Sequence, residues 1–262
     1  MNKILIIGKN SFIGSNLRKY LLNKIDFEIL SFEETISKKN SFFLQFTHVI
    51  NTAIHSKYIK KKYNKFYDLD RKFISKLKKI NFIYIFLNTR KIYLQKQNIS
   101  ECSIKKPICN YSKNKIKTES FLKKKLKKKL LSLRIGNIIG KRIVKNKRNY
   151  HKLFFDNFLS YRGNKKKMTV ANDFKDFISI VQFCKIVENL IKKNIYGIYN
   201  ISLAKKIYLS ELINWLDADF YKKINFIDGT KDSFTLSNKK LLKKIAVKPS
   251  KTQLKKYCKN IF

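Results

Sequence analysis

Short apolar runs alternate with helical patterns over the first half of this chain of 262 residues. The run Lys3–Ile7 ends at Gly8, which is the pattern of a buried parallel strand. The segment that follows spaces its apolar residues by three and four positions, as an amphipathic helix does. Because parallel strands need crossover helices between them, this alternation, which continues to about Gly140, predicts a doubly wound α/β fold.

The periodicity also bounds the individual elements and suggests two parts of the chain. We expect residues 1–140 to form the first domain, with a strand at Gly197–Ile201 rejoining its sheet, and residues 141–262 to form mainly a small lobe. The other strands are predicted at Lys3–Ile7, Phe27–Leu30, His48–Asn51, Phe82–Leu87, Leu130–Ile135 and Asp176–Ile180. Helices are predicted at Phe12–Leu22, Phe66–Leu77, from Tyr111 onward, at Val181–Lys192 and at Leu209–Leu216.

The turn between the first strand and the first helix suits a phosphate group. Its sequence, GKNSFIG, places glycines at positions 8 and 14. At such a turn the pyrophosphate of a dinucleotide can rest on the free N–H groups of the helix N-terminus, where the helix dipole favours an anion. Two glycines alone also fit an ordinary βα turn. The candidate cofactor-binding residues are Gly8, Asn10, Ser11, Phe12, Ile13 and Gly14.

A second candidate site combines a tyrosine, a lysine and a hydroxyl residue. Tyr111 and Lys115 lie one helical turn apart, so we expect the ammonium group to lower the pKa of the phenol and make it a usable acid or base. Other Tyr-x-x-x-Lys patterns occur in this lysine-rich chain. Tyr111 opens the helix after the strong strand Phe82–Leu87, and Thr89 follows that strand at the sheet edge where α/β sites form.

The residues after the second strand leave the choice of coenzyme open between NAD and NADP. Ser31 stands where many NAD-binding folds carry an aspartate for the ribose, and Glu33 and Glu34 are displaced from that position. Lys9, inside the glycine turn, could meet a 2′-phosphate. The sequence therefore leans slightly towards NADP.

These segments, taken in order, resemble the NAD-dependent epimerase/dehydratase family, the extended short-chain dehydrogenases, over nearly the whole chain. The family has a Rossmann domain and a small substrate-binding lobe, and it acts on nucleotide-activated sugars. The resembling segments are Ile4–Gly14, Val49–Ala53, Thr89–Tyr93, Tyr111 with Lys115 and Glu119, Leu133–Gly140, Lys175–Ile178, Gly197–Ile201 and Leu236–Pro249.

The resemblance implies a hydride-transfer enzyme. Tyr111 would be the general acid or base, Lys115 would support it and bind the coenzyme ribose, and Thr89 would orient the substrate oxygen. Asn137 would touch the nucleotide-sugar and Ala53 would lie along the coenzyme. The family's dehydratases usually carry acidic residues where this chain has Arg90 and Lys91, so reduction of a 4-keto sugar or epimerisation is favoured over dehydration. A homodimer is a further expectation from the family.

Composition bears on partners and location. The net charge is +43, which would attract nucleic acid on electrostatic grounds, so a non-catalytic protein that binds RNA or another polyanion is the alternative. The basic residues are spread along the whole chain, as in compositional drift, and no specific nucleic acid is expected. The dispersed cysteines and histidines predict neither disulfides nor a metal site. No apolar run could span a bilayer, and we expect a cytoplasmic protein.

Overall fold

The computed structural model describes residues 2–144, 153–163, 168–229 and 233–262. His151, one of the three histidines, lies outside this part. The described strands are β1 Lys3–Ile7, β2 Asp26–Leu30, β3 His48–Asn51, β4 Ile83–Thr89, β5 Leu130–Ile135, β6 Asn137–Ile139, β7 Met168–Ala171, β8 Phe174–Lys175, β9 Phe177–Ser179, β10 Gly197–Ile201, β11 Ile207–Tyr208 and β12 Ile224–Ile227. The described helices are α1 Phe12–Leu21, α2 Phe32–Ser37, α3 Ser56–Lys60, α4 Leu69–Lys76, α5 Asn110–Leu126, α6 Phe154–Arg162, α7 Ile180–Lys192, α8 Leu209–Leu216, α9 Ala218–Tyr221, α10 Lys239–Leu242 and α11 Lys251–Lys259.

Six strands form one parallel sheet in the order β10-β5-β4-β3-β1-β2. The chain therefore starts in the middle of the sheet, adds β2 on one side and then continues with β3 on the other. The strand order reverses between β1 and β3, which in open α/β sheets is where a crevice forms at the carboxyl ends of the strands. The doubly wound α/β fold predicted from the alternation is confirmed.

Alternating side chains of the central strands build a core on each face of the sheet. In β1, Ile4 and Ile6 join the larger core, which contains α1, α7, α8 and α11. Leu5 and Ile7 face the other side and pack with residues of α2, α4 and α5. Because helices cover both faces, β1 carries apolar residues on both of its sides, as the apolar run Lys3–Ile7 indicated.

The second half of the chain adds small sheets of two strands beside the main one. These sheets pair β6 with β9, β7 with β12 and β8 with β11. Asp176 joins this region to the main sheet, because its carboxylate accepts backbone N–H groups of Leu203 at 2.9 Å, Ala204 at 3.1 Å and Leu236 at 3.0 Å. Phe158 of α6 packs edge-on against Phe220 of α9.

Periodicity placed most of the sheet and its long helices within a few residues. β1, β3, β5, β10 and α8 have the predicted bounds. The helix predicted at Phe66–Leu77 begins later, at Leu69, because the Asp68 side chain caps it by accepting the N–H of Arg71. The short helices α2 and α3 and the sheets that pair β7 with β12 and β8 with β11 have no counterpart in the prediction, whereas β9 lies within the strand predicted at Asp176–Ile180.

Candidate active site

The turn after β1 packs closely against the end of β3. Gly8 has a backbone φ of +106°, a conformation that L side chains rarely adopt, and a Cβ there would stand 2.6 Å from Thr52 Oγ1. A Cβ on Gly14 would collide with the carbonyl oxygen of Gly8 and stand 2.7 Å from Thr52 Oγ1. The two glycines therefore let the turn, the first helix and the third strand meet at the reversal point of the sheet.

Ser11 orders this turn from within. Its Oγ accepts the N–H of Gly14 at 2.8 Å and so caps α1, and it donates to Thr52 Oγ1 at 2.7 Å. The Ser11 hydroxyl proton is therefore directed to Thr52, whereas the sequence suggested that it faces a phosphate. Phe12 and Ile13 contribute N–H groups in the first turn of α1, where a helix has no internal acceptor for them. The turn thus fits a pyrophosphate through its backbone.

The polar groups beside the turn pair with each other. Ser31 and Glu34 form a reciprocal capping box at the start of α2. Glu34 also accepts the ammonium group of Lys9, with 2.5 Å between Lys9 Nζ and Glu34 Oε1. The hydrogen bond from Lys9 is the main cause that lowers the pKa of Glu34. Lys9 is therefore engaged with a carboxylate at the place where the sequence suggested a 2′-phosphate.

Tyr111 and Lys115 lie on the inward side of α5, near the carboxyl ends of β3 and β4. Tyr111 is half-buried and Lys115 is buried. The ammonium group of Lys115 lies 5.9 Å from the centroid of the Tyr111 ring and 4.5 Å from that of Phe86. A lysine one turn after the tyrosine thus faces the same side of the helix, as the spacing predicts.

A buried carboxylate on α4, which the sequence did not single out, completes this group. Asp70 Oδ2 lies 3.9 Å from Lys115 Nζ. The other oxygen, Oδ1, accepts Asn51 Nδ2 at 2.9 Å and the hydroxyl of Tyr84 at 2.7 Å. Residues from α4, α5, β3 and β4 therefore converge on one ion pair beneath Tyr111.

The pKa of Tyr111 is shifted in the direction opposite to the one expected from the sequence. Burial raises the pKa of Tyr111, and the nearby Asp70 carboxylate raises it further. Burial lowers the pKa of Lys115, whereas Asp70 opposes that shift. The prediction that Lys115 lowers the pKa of Tyr111 is therefore wrong for the chain without coenzyme, because burial raises that pKa and the nearby Asp70 carboxylate adds to the rise.

Thr89 occupies the end of β4 and lies in register with Ile135 of β5. Its Oγ1 accepts the N–H of Lys91 at 3.3 Å and caps the short turn that follows. Next to it, the guanidinium of Arg90 stacks over the ring of Phe234 at 3.6 Å from the centroid. Arg90 thus joins the end of β4 to the C-terminal part of the chain.

Glu119, one turn beyond Lys115, anchors α5 to the sheet. Its carboxylate accepts Nε of Arg134 at 3.0 Å and Nη2 at 2.6 Å, and it also accepts Ser132 at 2.6 Å and Asn88 at 2.8 Å. Burial opposes ionisation of Glu119, but these donors lower its pKa overall. Arg134, in the segment that gave the family resemblance, is therefore a buried structural cation that fixes the helix carrying Tyr111.

No protein-family model matches the sequence, and no curated protein matches it either. Solved structures do match. The UDP-N-acetylglucosamine 4-epimerase of Methanobrevibacter ruminantium M1 has a TM-score of 0.78 and 17% identity, over 99% of this chain and 96% of that one. The dTDP-4-dehydrorhamnose reductase of Bacillus anthracis, in complex with NADP, has a TM-score of 0.78 and 14% identity, over 100% and 99%. The dTDP-glucose 4,6-dehydratase of the same organism, in complex with NAD, has a TM-score of 0.76 and 16% identity, over 100% and 96%.

The chain has the Rossmann fold of these enzymes. The likeness extends over the whole length of both chains in each pair, so it includes the region after the main sheet as well as the sheet itself. Identities of this size establish the fold, and the activity has to be argued from the site.

The Rossmann sheet brings several predicted site residues to one edge. Gly8 and Ala53 follow β1 and β3, Thr89 ends β4, and Asn137 follows β5 after a single residue. Ala53 lines a shallow depression that also includes Tyr58 and Asp70. The Nδ2 atom of Asn137 is buried without a hydrogen-bond partner among the described residues.

Two side chains near the site have structural contacts of their own. His55 caps α3 through Nδ1, which accepts the N–H of Lys57 at 3.1 Å, and its ring stacks on Tyr67. Cys109 precedes α5, and its Sγ lies 3.3 Å from Ser112 Oγ. Over the described ranges, no group of three or more His, Cys, Asp or Glu side chains is placed to hold a metal ion. None of the helices in those ranges is long and apolar enough to cross a membrane.

Proposed function

We propose that this chain is an NAD(P)-dependent oxidoreductase that acts on a nucleotide-activated sugar, by 4-keto reduction or by epimerisation. The observation that carries the proposal is the arrangement at the carboxyl edge of the sheet. A glycine turn that fits a pyrophosphate lies at the reversal point, Thr89 lies at the end of β4, and Tyr111 and Lys115 lie on α5, with Lys115 against Phe86 of β4. The similar structures, which include enzymes of this kind in complex with NAD or NADP, support it.

Each residue has a role in this proposal. The N–H groups of Phe12 and Ile13, with Gly8, Asn10, Ser11 and Gly14 forming the turn, would hold the pyrophosphate. Ala53 would lie along the coenzyme, and Asn137 would contact the nucleotide-sugar with its unpartnered amide. Bound coenzyme would supply or accept a hydride at a sugar carbon.

Proton transfer would belong to this chain's own side chains. The Tyr111 hydroxyl would exchange a proton with the substrate oxygen, and Thr89 Oγ1 would orient that oxygen. Lys115 would bind the coenzyme ribose. We further propose that residues 1–140 bind the dinucleotide, that residues 141–262 contribute mainly to the sugar site, and that two chains form a homodimer.

The reaction type follows from the residues beside Thr89. Arg90 and Lys91 provide no carboxylate there to assist loss of water, so we place dehydration behind reduction and epimerisation. An assay of a panel of nucleotide-activated sugars, followed by coenzyme absorbance and by product analysis, separates the three. Net coenzyme oxidation indicates a reductase, sugar interconversion without net oxidation indicates an epimerase, and release of water indicates a dehydratase.

Replacement of Tyr111 by phenylalanine tests the site directly. We expect Tyr111→Phe to lose at least about 100-fold in turnover, the lower range for a general acid or base, because the ring remains but its proton is gone. Coenzyme binding, measured by fluorescence titration, should stay close to that of the original chain. Tyr161→Phe, which changes an exposed tyrosine of α6, is the matched control. Full turnover in Tyr111→Phe would remove Tyr111 from the mechanism.

The alternative function is binding of RNA or another polyanion. A groove lined by lysines favours it: Lys105, Lys123, Lys124 and Lys127 surround a cavity of about 490 Å³ beside α5. Under this alternative, RNA is retained on filters at physiological salt and coenzyme does not bind. Under the enzyme proposal, RNA binding is weak and is lost as the salt concentration rises.

A further inference from the structure

The ion pair between Asp70 and Lys115 lies deep in the candidate site. Each side chain keeps only 7% of its surface exposed, so water screens the pair poorly. Burial raises the pKa of the Asp70 carboxyl, and the charge of Lys115 together with the hydrogen bonds from Tyr84 and Asn51 opposes that rise and favours the ionised form. A buried carboxylate contacted from three other elements thus pairs with Lys115, one helical turn from Tyr111.

We propose that Asp70 is a positioning residue that neutralises Lys115 and keeps Tyr111 a proton donor, so that the site acts as a reductase of keto-sugar nucleotides. The inference rests on the proposed function and narrows it to one direction of reaction and one class of substrate. It excludes epimerisation as the main activity, because epimerisation begins with oxidation of a hydroxyl group.

Reduction of a carbonyl and oxidation of an alcohol need opposite protonation states of Tyr111 at the start of the reaction. In reduction, a hydride from the reduced nicotinamide coenzyme adds to the carbonyl carbon, and the Tyr111 hydroxyl gives its proton to the carbonyl oxygen. The products are a secondary alcohol, the oxidised coenzyme and a phenolate that water reprotonates. Oxidation of an alcohol runs the other way and needs the phenolate at the start. Each unit by which the Tyr111 pKa exceeds the working pH reduces that phenolate about tenfold.

Other titratable groups around Tyr111 and Lys115 do not replace Asp70. Asp68, at the start of α4, accepts the hydroxyls of Thr118 at 2.6 Å and Tyr63 at 2.9 Å. Glu119 is paired with Arg134. The remaining neighbours are neutral or weakly acidic groups on α3, β4 and the start of α5, namely Tyr58, Tyr84 and Cys109.

The test is a titration of Tyr111 in the chain without coenzyme, read from the NMR signal of its labelled ring and assigned with Tyr111→Phe. We expect the phenol of the original chain to stay protonated through neutral pH. In Asp70→Asn its midpoint should fall by about 1 pH unit or more, because one negative charge is removed and Lys115 is released. Asp70→Glu should restore the original behaviour. A midpoint that is the same in Asp70→Asn, or a phenol already ionised near neutral pH in the original chain, would overturn the inference.

Two further variants keep the test informative. Tyr84→Phe keeps the aromatic ring in the core but removes a hydrogen bond to Asp70, so it should lower the Tyr111 midpoint in the same direction by a smaller amount, even if Asp70→Asn does not fold. Asp217→Asn removes a carboxylate paired with Arg162 far along the chain and should leave the Tyr111 midpoint unchanged.

The pH dependence of the reaction rate tests the role of Asp70 in a second way. The original chain should reduce keto-sugar nucleotides with a rate that is flat from neutral to mildly alkaline pH. In Asp70→Asn that rate should decline at a pH lower by about 1 unit or more, while alcohol oxidation at neutral pH gains about tenfold. Epimerisation as the main activity of the original chain would contradict the inference and leave the proposed function intact. A chain that turns over no nucleotide-sugar would contradict the proposed function, whereas the Tyr111 titration would still decide the role of Asp70.

Discussion

At the residue scale, Lys9 and Glu34 control the charge next to the glycine turn. Their ion pair places one cation and one anion where the adenosine ribose would bind. In Glu34→Gln, Lys9 loses its anionic partner, so we expect the preference for NADPH over NADH to rise about tenfold. Coenzyme fluorescence titrations with both coenzymes measure this ratio.

Removal of the Lys9 cation tests the same ion pair from the other side. Lys9→Met removes the cation but leaves Glu34 in its capping box with Ser31, so the preference should move towards NADH. Glu33→Gln, a neighbouring change in the same first turn of α2, should leave the ratio unaltered. Equal ratios in all three variants would show that this pair takes no part in coenzyme choice.

At the element scale, Glu119 and Arg134 hold α5 against β5. Removing one member of a buried ion pair leaves the other charge unpaired, which costs about 3–5 kcal/mol. We therefore expect Glu119→Gln to lower the free energy of unfolding by about 3 kcal/mol, measured by urea denaturation. The control is Glu211→Gln, because the Glu211–Lys251 pair is partly exposed and should contribute at most about 1 kcal/mol. Similar losses in the two variants would mean that the buried pair does not anchor the helix.

The sequence predicted elements well where one face or both faces of an element are apolar, since burial then sets the periodicity. It missed α2, although Ser31 and Glu34 have the spacing of a capping box, because Ser31 was interpreted as a ribose position. A capping box is a local sequence signal, so the start of α2 could have been predicted from the sequence.

The ion pair between Asp70 and Lys115 could not be predicted from the sequence. Asp70, Lys115 and Asn51 are brought together by the sheet order and not by any spacing along the chain. The same holds for Thr52, which lies in the resembling segment Val49–Ala53 but was assigned no role, although its hydroxyl packs between the two glycines. Residues whose role depends on contacts between distant segments needed the three-dimensional arrangement.

At the scale of the whole molecule, the candidate site lies at one edge of the sheet, whereas the net charge of +43 is spread along the chain. Lysines occur on the exposed side of α5, in the loops and near the C-terminus alike. Such a field raises the local concentration of any anion, which includes nucleotide-sugars and coenzymes as well as RNA. The net charge therefore favours none of these ligands over the others. The shape of the glycine turn is the feature that distinguishes a dinucleotide from other anions.

Titration of NADH and NADPH into the chain and two glycine variants, at physiological salt, shows whether the glycine turn binds a dinucleotide. In Gly14→Ala the new methyl group meets the carbonyl oxygen of Gly8, whereas in Gly163→Ala it would stand 3.9 Å from the carbonyl oxygens of Leu159 and Ser160. We predict saturable binding to the original chain and to Gly163→Ala, and binding more than about tenfold weaker to Gly14→Ala, with circular dichroism showing all three folded. Absence of saturable binding to the original chain, or equal binding to all three, would contradict a dinucleotide site at this turn.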